Sequence, residues 1–225
     1  MIILLQTCDR FEMTSKVIQS VEENIRGDYE KFYLDDASQD SRIKDMLGEF
    51  NWVPLVENNK REGVYKTRQQ GIKNLVSVFN TNGYEPVMTL ENDTTIVRPI
   101  SSNFVSKVLE YGAFMRLFGK YCDVAKKDKT SVIPYFRSKK EKNPKTVWTP
   151  LIIEGEEMEI GVTHFSHHPV VAPLKFILQM LANSRNIRKN EKDYMSQPIR
   201  SACIRPVYNI SDHIGYGIHT PNKKV

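Results

Sequence analysis

No stretch of this sequence is both long and apolar enough to cross a bilayer as a helix. The most apolar region, Pro169 to Ala182, is too short and is interrupted by Lys175. The opening "MIILLQTCDR" lacks the basic start and cleavage site of a secretory signal. We therefore expect a soluble, cytoplasmic chain, in the host cytoplasm if viral, without membrane insertion. Cysteine is also scarce. Cys8, Cys122 and Cys203 are odd in number and far apart, which excludes a disulfide framework and gives no zinc-ligand spacing. The 11 glycines never form G-x-G-x-x-G or G-x-x-x-x-G-K-[ST], which speaks against a nicotinamide dehydrogenase and a P-loop NTPase. There is no internal repeat and no low-complexity tract.

What is present is a basic chain of 225 residues with 40% hydrophobic content, enough for one main core. Lys and Arg number 32 against 27 Asp and Glu, giving a net charge of +5. The cations thicken in the second half, in "KKDK" (126–129), "RSKKEKNPK" (137–145) and "RNIRKNEK" (185–192). Such runs are either a solvated face or a face for a polyanion, where they would replace condensed counterions.

Over the first hundred residues the apolar pattern switches repeatedly between strand and helix periods. "MIILLQT", "KFYLDD", "WVPLVEN" and "PVMTLEND" read as strands. "TSKVIQSVEENI", "SRIKDMLGEF" and "GVYKTRQQGIKNLVSVFN" read as helices between them. That alternation predicts a mostly parallel sheet flanked by helices. Later, "SSNFVSKVLEYG" and "PLKFILQMLANSR" read as helices, the second capped at its start by Pro173, and "TSVIPYF" and "TVWTPLIIEG" as strands among charged loops. We expect residues 1–100 to form a ligand-binding half and 101–225 an irregular half of the same domain.

In open α/β sheets ligands bind beyond the carboxyl ends of the strands. Each of the four strands is followed there by polar residues: "TCDR", "DDASQD", "ENNKREG" and "END". Without a glycine-rich phosphate turn, a diphosphate needs another counter-charge. A divalent cation held by one or two carboxylates supplies it. Glu91 and Asp93, two residues apart at the fourth strand's tip, are the pair placed for that role.

These four stretches, in this order, resemble the nucleotide-binding half of the GT-A glycosyltransferases, the family-2-like group in particular. That group shows a Thr-Tyr-Asn-Arg-like start, a Val-Asp-Asp-Gly-Ser-x-Asp motif, an Asn-x-Gly and Ala-Arg-Asn-x-Gly segment, and an Asp-x-Asp. The resemblance spans about the first hundred residues and implies a GT-A, Rossmann-like fold. It implies that Thr7, Asp9, Arg10 and Asn92 line the donor pocket and that Asp35 or Asp36 meets the nucleobase of a UDP-sugar. Asn59, Gly63 and Arg68 would then wall the ribose and diphosphate. Glu91 and Asp93 would hold Mn²⁺ or Mg²⁺, although Glu91 stands where the family has aspartate. "SDHIGYGIHT" resembles the late histidine segment of several GT-A enzymes, which adds His213 to the metal site, with His219 as a second candidate.

Sugar transfer also needs an acceptor hydroxyl and, for inversion, a base. Glu157 and Glu159 in "EGEEMEIGVTHFSHHP" are the base candidates; a solvated acidic loop would read the same. His164, His167 and His168, with Lys139 and Lys140, are the candidates for acceptor binding. The acceptor is expected to be a glycan or a hydroxymethylated base in DNA. The basic second half and small size are shared with bacteriophage enzymes that glycosylate hydroxymethylated cytosine, which would flip the base out of the duplex. A non-enzymatic, basic nucleic-acid-binding protein is the alternative, and it leaves the four acidic rim motifs unexplained.

Overall fold

The run Ile2–Thr7 is buried along its whole length, which a strand achieves only when both faces of its sheet are covered. It is β1, near the middle of the computed structural model, which describes residues 1–79, 83–118, 147–165, 169–182 and 200–214. After it come α1 (Phe11–Asn24), β2 (Ile25–Arg26), β3 (Glu30–Asp35), α2 (Arg42–Glu49), β4 (Val53–Glu57), α3 (Val64–Phe79) and β5 (Pro86–Glu91). The chain continues through β6 (Thr94–Ile96), β7 (Ile100–Ser101), α4 (Ser102–Leu109) and β8 (Phe114–Arg116). The remaining described elements are β9 (Thr149–Ile153), β10 (Glu156–His164), β11 (Val170–Pro173), α5 (Leu174–Ala182), β12 (Arg200–Pro206) and β13 (Ser211–His213).

Among the described residues nine strands form one sheet in the order β4-β3-β1-β5-β11-β8-β12-β10-β9. The expected parallel arrangement holds from β4 through β5. Beyond β5 the sheet is mixed. β11 lies antiparallel between β5 and β8, and β9–β10 is an antiparallel hairpin. Strands from before and after residue 100 belong to this one sheet.

Alternate residues of each strand feed two cores. Ile3, Leu5, Met88 and Leu90 pack with Val17, Ile18 and Val21 of α1, Ile43 and Leu47 of α2, and Val105 and Val108 of α4. Ile2, Leu4, Leu34 and Val87 pack with Ile72 and Leu75 of α3 and with Leu174 and Ile177 of α5. The result is three layers, helices on both sides of a sheet. Gly71 lets α3 lie close against β3, since a Cβ there would overlap the side chain of Leu34.

Several elements differ from expectation. "EEMEIGVTH" is a nine-residue strand rather than an acidic loop. Its hairpin turn, Glu154-Gly155, has φ of 51° and 83°, the pair of left-handed residues that a two-residue hairpin turn demands. Pro173 directly precedes α5, but as the last residue of β11, a strand that is not among the expected ones. "TSVIPYF" lies outside the described residues.

Candidate functional site

β3 and β4 follow β1 on one side of the sheet, whereas β5 lies on the other. The loops leaving β1 and β5 therefore diverge, and a crevice opens at the carboxyl ends between them. Strand register aligns the rim, pairing Thr7 with Asp35, Asp35 with Glu57, and Gln6 with Glu91. The pocket, about 400 Å³, is lined by Gln6 to Arg10, by Arg61 and Val64, and by Glu91 to Asp93.

The turn after β1 is unusual. Asp9 and Arg10 both have left-handed backbones, with φ of 54° and 62°, which non-glycine residues seldom adopt. Asn92 holds the turn by donating through Nδ2 to the carbonyl oxygens of Cys8 (3.3 Å) and Asp9 (3.2 Å). The Asp9 N–H donates to Ser38 Oγ at 2.8 Å, and the Gln39 N–H to Asp9 Oδ1 at 2.7 Å. The strained turn is thus tied to β5 on one side and to the β3–α2 loop on the other. Burial pushes the Cys8 thiol up, and its Sγ donates to the Asp36 carbonyl at 3.4 Å, so it sits in the pocket wall as a neutral group.

Asp35 and Asp36 lie on this rim, yet both are buried and neither lines the pocket. Asp35 accepts from Thr7 Oγ1 (2.9 Å), the Ser38 N–H (3.0 Å) and Ser38 Oγ. Asp36 Oδ1 accepts from the Glu62 N–H (2.8 Å), Thr67 Oγ1 (3.0 Å) and Asn58 Nδ2 (3.2 Å), and its Oδ2 accepts from the Gly63 N–H (3.0 Å). Burial alone would raise the Asp36 pKa. These donors, the Glu62 N–H foremost, outweigh it and leave the carboxyl below its ordinary value. The two aspartates therefore build the loops that frame the pocket. Gly63, with φ 90°, supplies a left-handed turn and a donor to Asp36. Asn59 has no such bond; its neighbour Asn58 makes the contacts.

Three arginines neutralise the rim. Arg68 Nη2 lies 3.1 Å from Glu91 Oε1, Arg10 Nη1 lies 3.4 Å from Asp93 Oδ2, and Arg61 pairs with Asp9 across the pocket mouth. Arg68 is 4% exposed and fixed, whereas Arg10 at 41% and Arg61 at 64% can turn toward an incoming anion. The repulsion expected between Glu91 and Asp93 is thus relieved by guanidinium groups from two different elements. Arg61 was not singled out in the sequence, although it stands in the rim stretch "ENNKREG".

β13 pairs with β6, setting His213 opposite Thr94, and the Ile214 N–H donates to the Asp93 carbonyl at 2.9 Å. The late histidine segment is thereby brought beside Asp93, some 120 residues away in sequence. Among the described residues no three His, Cys, Asp or Glu side chains converge into a ready-made metal cluster. One or two carboxylates still suffice for Mg²⁺ or Mn²⁺ where a phosphate and water supply the remaining oxygens.

The base candidates do not join the pocket. Glu159 is 5% exposed, sits opposite Arg205 across β10–β12, and accepts from Arg205 Nε (2.9 Å) and Nη2 (2.6 Å). Arg205 in turn stacks on Trp148, 3.8 Å from the ring centroid. β10 stands four strands from β5, roughly 19 Å at ordinary strand spacing. Glu157 lines a separate cleft. Of the expected acceptor-binding residues, His164 ends β10. Lys139, Lys140, His167 and His168 lie outside the described residues, as does His219.

No protein-family model matches this chain, and no curated protein sequence does. Among solved structures, Staphylococcus aureus TarS is similar with a TM-score of 0.49 and 10% identity, over 90% of this chain and 36% of TarS. The galactosyltransferase LgtC is similar with a TM-score of 0.46 and 13% identity, over 88% of this chain and 67% of LgtC. A 4-diphosphocytidyl-2C-methyl-D-erythritol synthase is similar with a TM-score of 0.45 and 10% identity, over 91% of this chain and 88% of that one. The chain spans about a third of TarS and about two thirds of LgtC. These are resemblances of chain path only.

Proposed function

We propose that this protein is a nucleotide-sugar-dependent glycosyltransferase of the GT-A kind. It would move a sugar from a nucleoside diphosphate donor, UDP in the reading favoured by the rim motifs, to an acceptor hydroxyl. The observation that carries the proposal is the pocket at the β1–β5 divergence. There the four motif stretches supply one frame, and carboxylates alternate with arginines that are free to turn. A non-enzymatic basic binding protein has no use for acidic residues held at a strand-end crevice.

Asp93, with Glu91 two residues before it at the tip of β5 and His213 in the strand paired with β6, would hold Mn²⁺ or Mg²⁺. A bound cation of this kind offsets the charge that develops on the departing diphosphate. Arg10 and Arg61 are the side chains suited to meet the phosphates, leaving Asp93 and Asp9 as the ligand arrives. Arg68 keeps Glu91 oriented. Asn92 and Ser38 hold the Cys8–Arg10 turn, so the main chain there is fixed before the donor binds, which limits the ordering cost of binding. Asp35 and Asp36 act one step back, through Thr7 and through Gly63 and Thr67.

The test is release of UDP from a panel of UDP-sugars, with Mn²⁺ and with EDTA. Slow hydrolysis that needs the metal is expected, since a transferase leaks some donor to water. No release from any nucleotide-sugar, with or without metal, would refute the assignment.

A further inference from the structure

Ile2 and Leu4 of β1 pack against α3, and strand alternation sends Gln6 to the same face. Its Nε2 donates at 2.8 Å to the carbonyl oxygen of Val64, the first residue of α3. That partner fixes the amide. A carbonyl only accepts, so the nitrogen faces Val64 and the oxygen faces away from it. Gln6 is 5% exposed and lines the rim pocket, yet its Oε1 meets no donor. A buried acceptor without a donor is destabilising and uncommon, which marks the position for a partner that arrives from outside.

Neighbouring polar groups of the pocket are already claimed. Asp9, Glu91 and Asp93 face Arg61, Arg68 and Arg10. The Thr7 hydroxyl donates to Asp35 and the Cys8 thiol to the Asp36 carbonyl. Asp35 and Asp36 themselves accept from their own loops. Gln6 Oε1 is therefore a neutral acceptor with no internal claim on it. A cation is disfavoured beside it, because its register neighbour Glu91 already holds the guanidinium of Arg68. A phosphate would set oxygen against oxygen. A heterocyclic N–H fits, and Val64, 42% exposed in the same pocket, offers apolar surface to a flat base. The oxygen is sheltered from water, but the last torsion of a glutamine is soft, so the amide tilts toward an arriving donor at little cost.

We propose that Gln6 reads the nucleobase of the donor, its Oε1 accepting from the ring N–H of uracil. It thereby takes the part that the resembled motif gives to Asp35 or Asp36. The inference rests on the nucleotide-sugar reading and adds the choice of base. Cytosine carries a bare ring nitrogen at the matching position and sets a lone pair against the Gln6 oxygen, so this residue selects UDP over CDP.

The experiment is calorimetric titration of UDP and of CDP, each with Mn²⁺, into the full chain and into Gln6→Met, which keeps the side chain's length without its polar atoms. The wild type is expected to bind UDP at least about tenfold more tightly than CDP. Gln6→Met should lose about tenfold for UDP and less than about twofold for CDP. A folding defect, or loss of the Val64 contact alone, weakens both nucleotides alike, so the change in preference is the readout. Equal losses for the two nucleotides would overturn the proposal, as would a wild type that binds them equally. UDP binding indifferent to Gln6→Met refutes this inference alone. No binding of either nucleotide refutes the nucleotide-sugar reading and this inference with it.

Discussion

Replacing Asp36 tests how the pocket is held in shape. Its carboxylate receives four hydrogen bonds, two of them from the main-chain N–H groups of Glu62 and Gly63. Asp36→Ala leaves those donors buried without an acceptor. At about 1 kcal/mol for each bond, and more for a stranded main-chain donor, the loss is about 3–5 kcal/mol. Urea unfolding followed by circular dichroism measures this directly, and the melting temperature should fall by about 10 °C. The pH dependence gives a second readout. The folded carboxyl titrates below its unfolded value, so its stabilisation is complete above the unfolded pKa, about 3.9. It is lost as pH falls through the lower, folded value. The gap between the wild type and Asp36→Asn should therefore narrow on acidification below about pH 4. A loss under about 1 kcal/mol, or a gap independent of pH, would show that Asp36 does not hold the loop.

Further outcomes follow from individual positions. Ala37 has φ 61° in the place where the resembled motif has glycine; Ala37→Gly should raise stability by about 0.5–1 kcal/mol in the same urea assay. Gly71→Ala should cost about 1–3 kcal/mol, because the added methyl overlaps Leu34 and forces α3 off β3. Glu159→Gln should lower stability by about 1–3 kcal/mol through the weakened Arg205 contact. It should leave metal-dependent UDP release in place, and abolished release with an unchanged melt would return Glu159 to the catalytic site.

β1, β3 and β5 are legible because central strands buried on both faces read as unbroken apolar runs ending in polar rim residues. β10 is not, because five of its nine residues are Glu, Thr or His. Its strand character depends on a partner distant in sequence, Arg205 opposite Glu159, and on the Glu154-Gly155 turn just before it. β11 is only four residues long and runs into α5, so its period is too short to separate from the helix. At the pocket, residue types were readable but pairings were not. Arg10 meets Asp93 and Arg68 meets Glu91 only once β1, α3 and β5 are adjacent. Asn58, next to the expected wall residue Asn59, bonds to Asp36 and Thr67, a loop contact that spacing alone does not reveal. Asp35 and Asp36, expected at the nucleobase, are buried and bonded to the main-chain N–H groups of Ser38, Glu62 and Gly63, an arrangement that residue type alone does not reveal.

The most direct test is calorimetric titration of UDP into the wild type and into Asp93→Ala, each with Mn²⁺ and with EDTA. Binding is expected only for the wild type with metal, with at least a tenfold loss in the other three conditions. Equal UDP affinity in Asp93→Ala, or in EDTA, would contradict a metal–diphosphate site at the β1–β5 crevice.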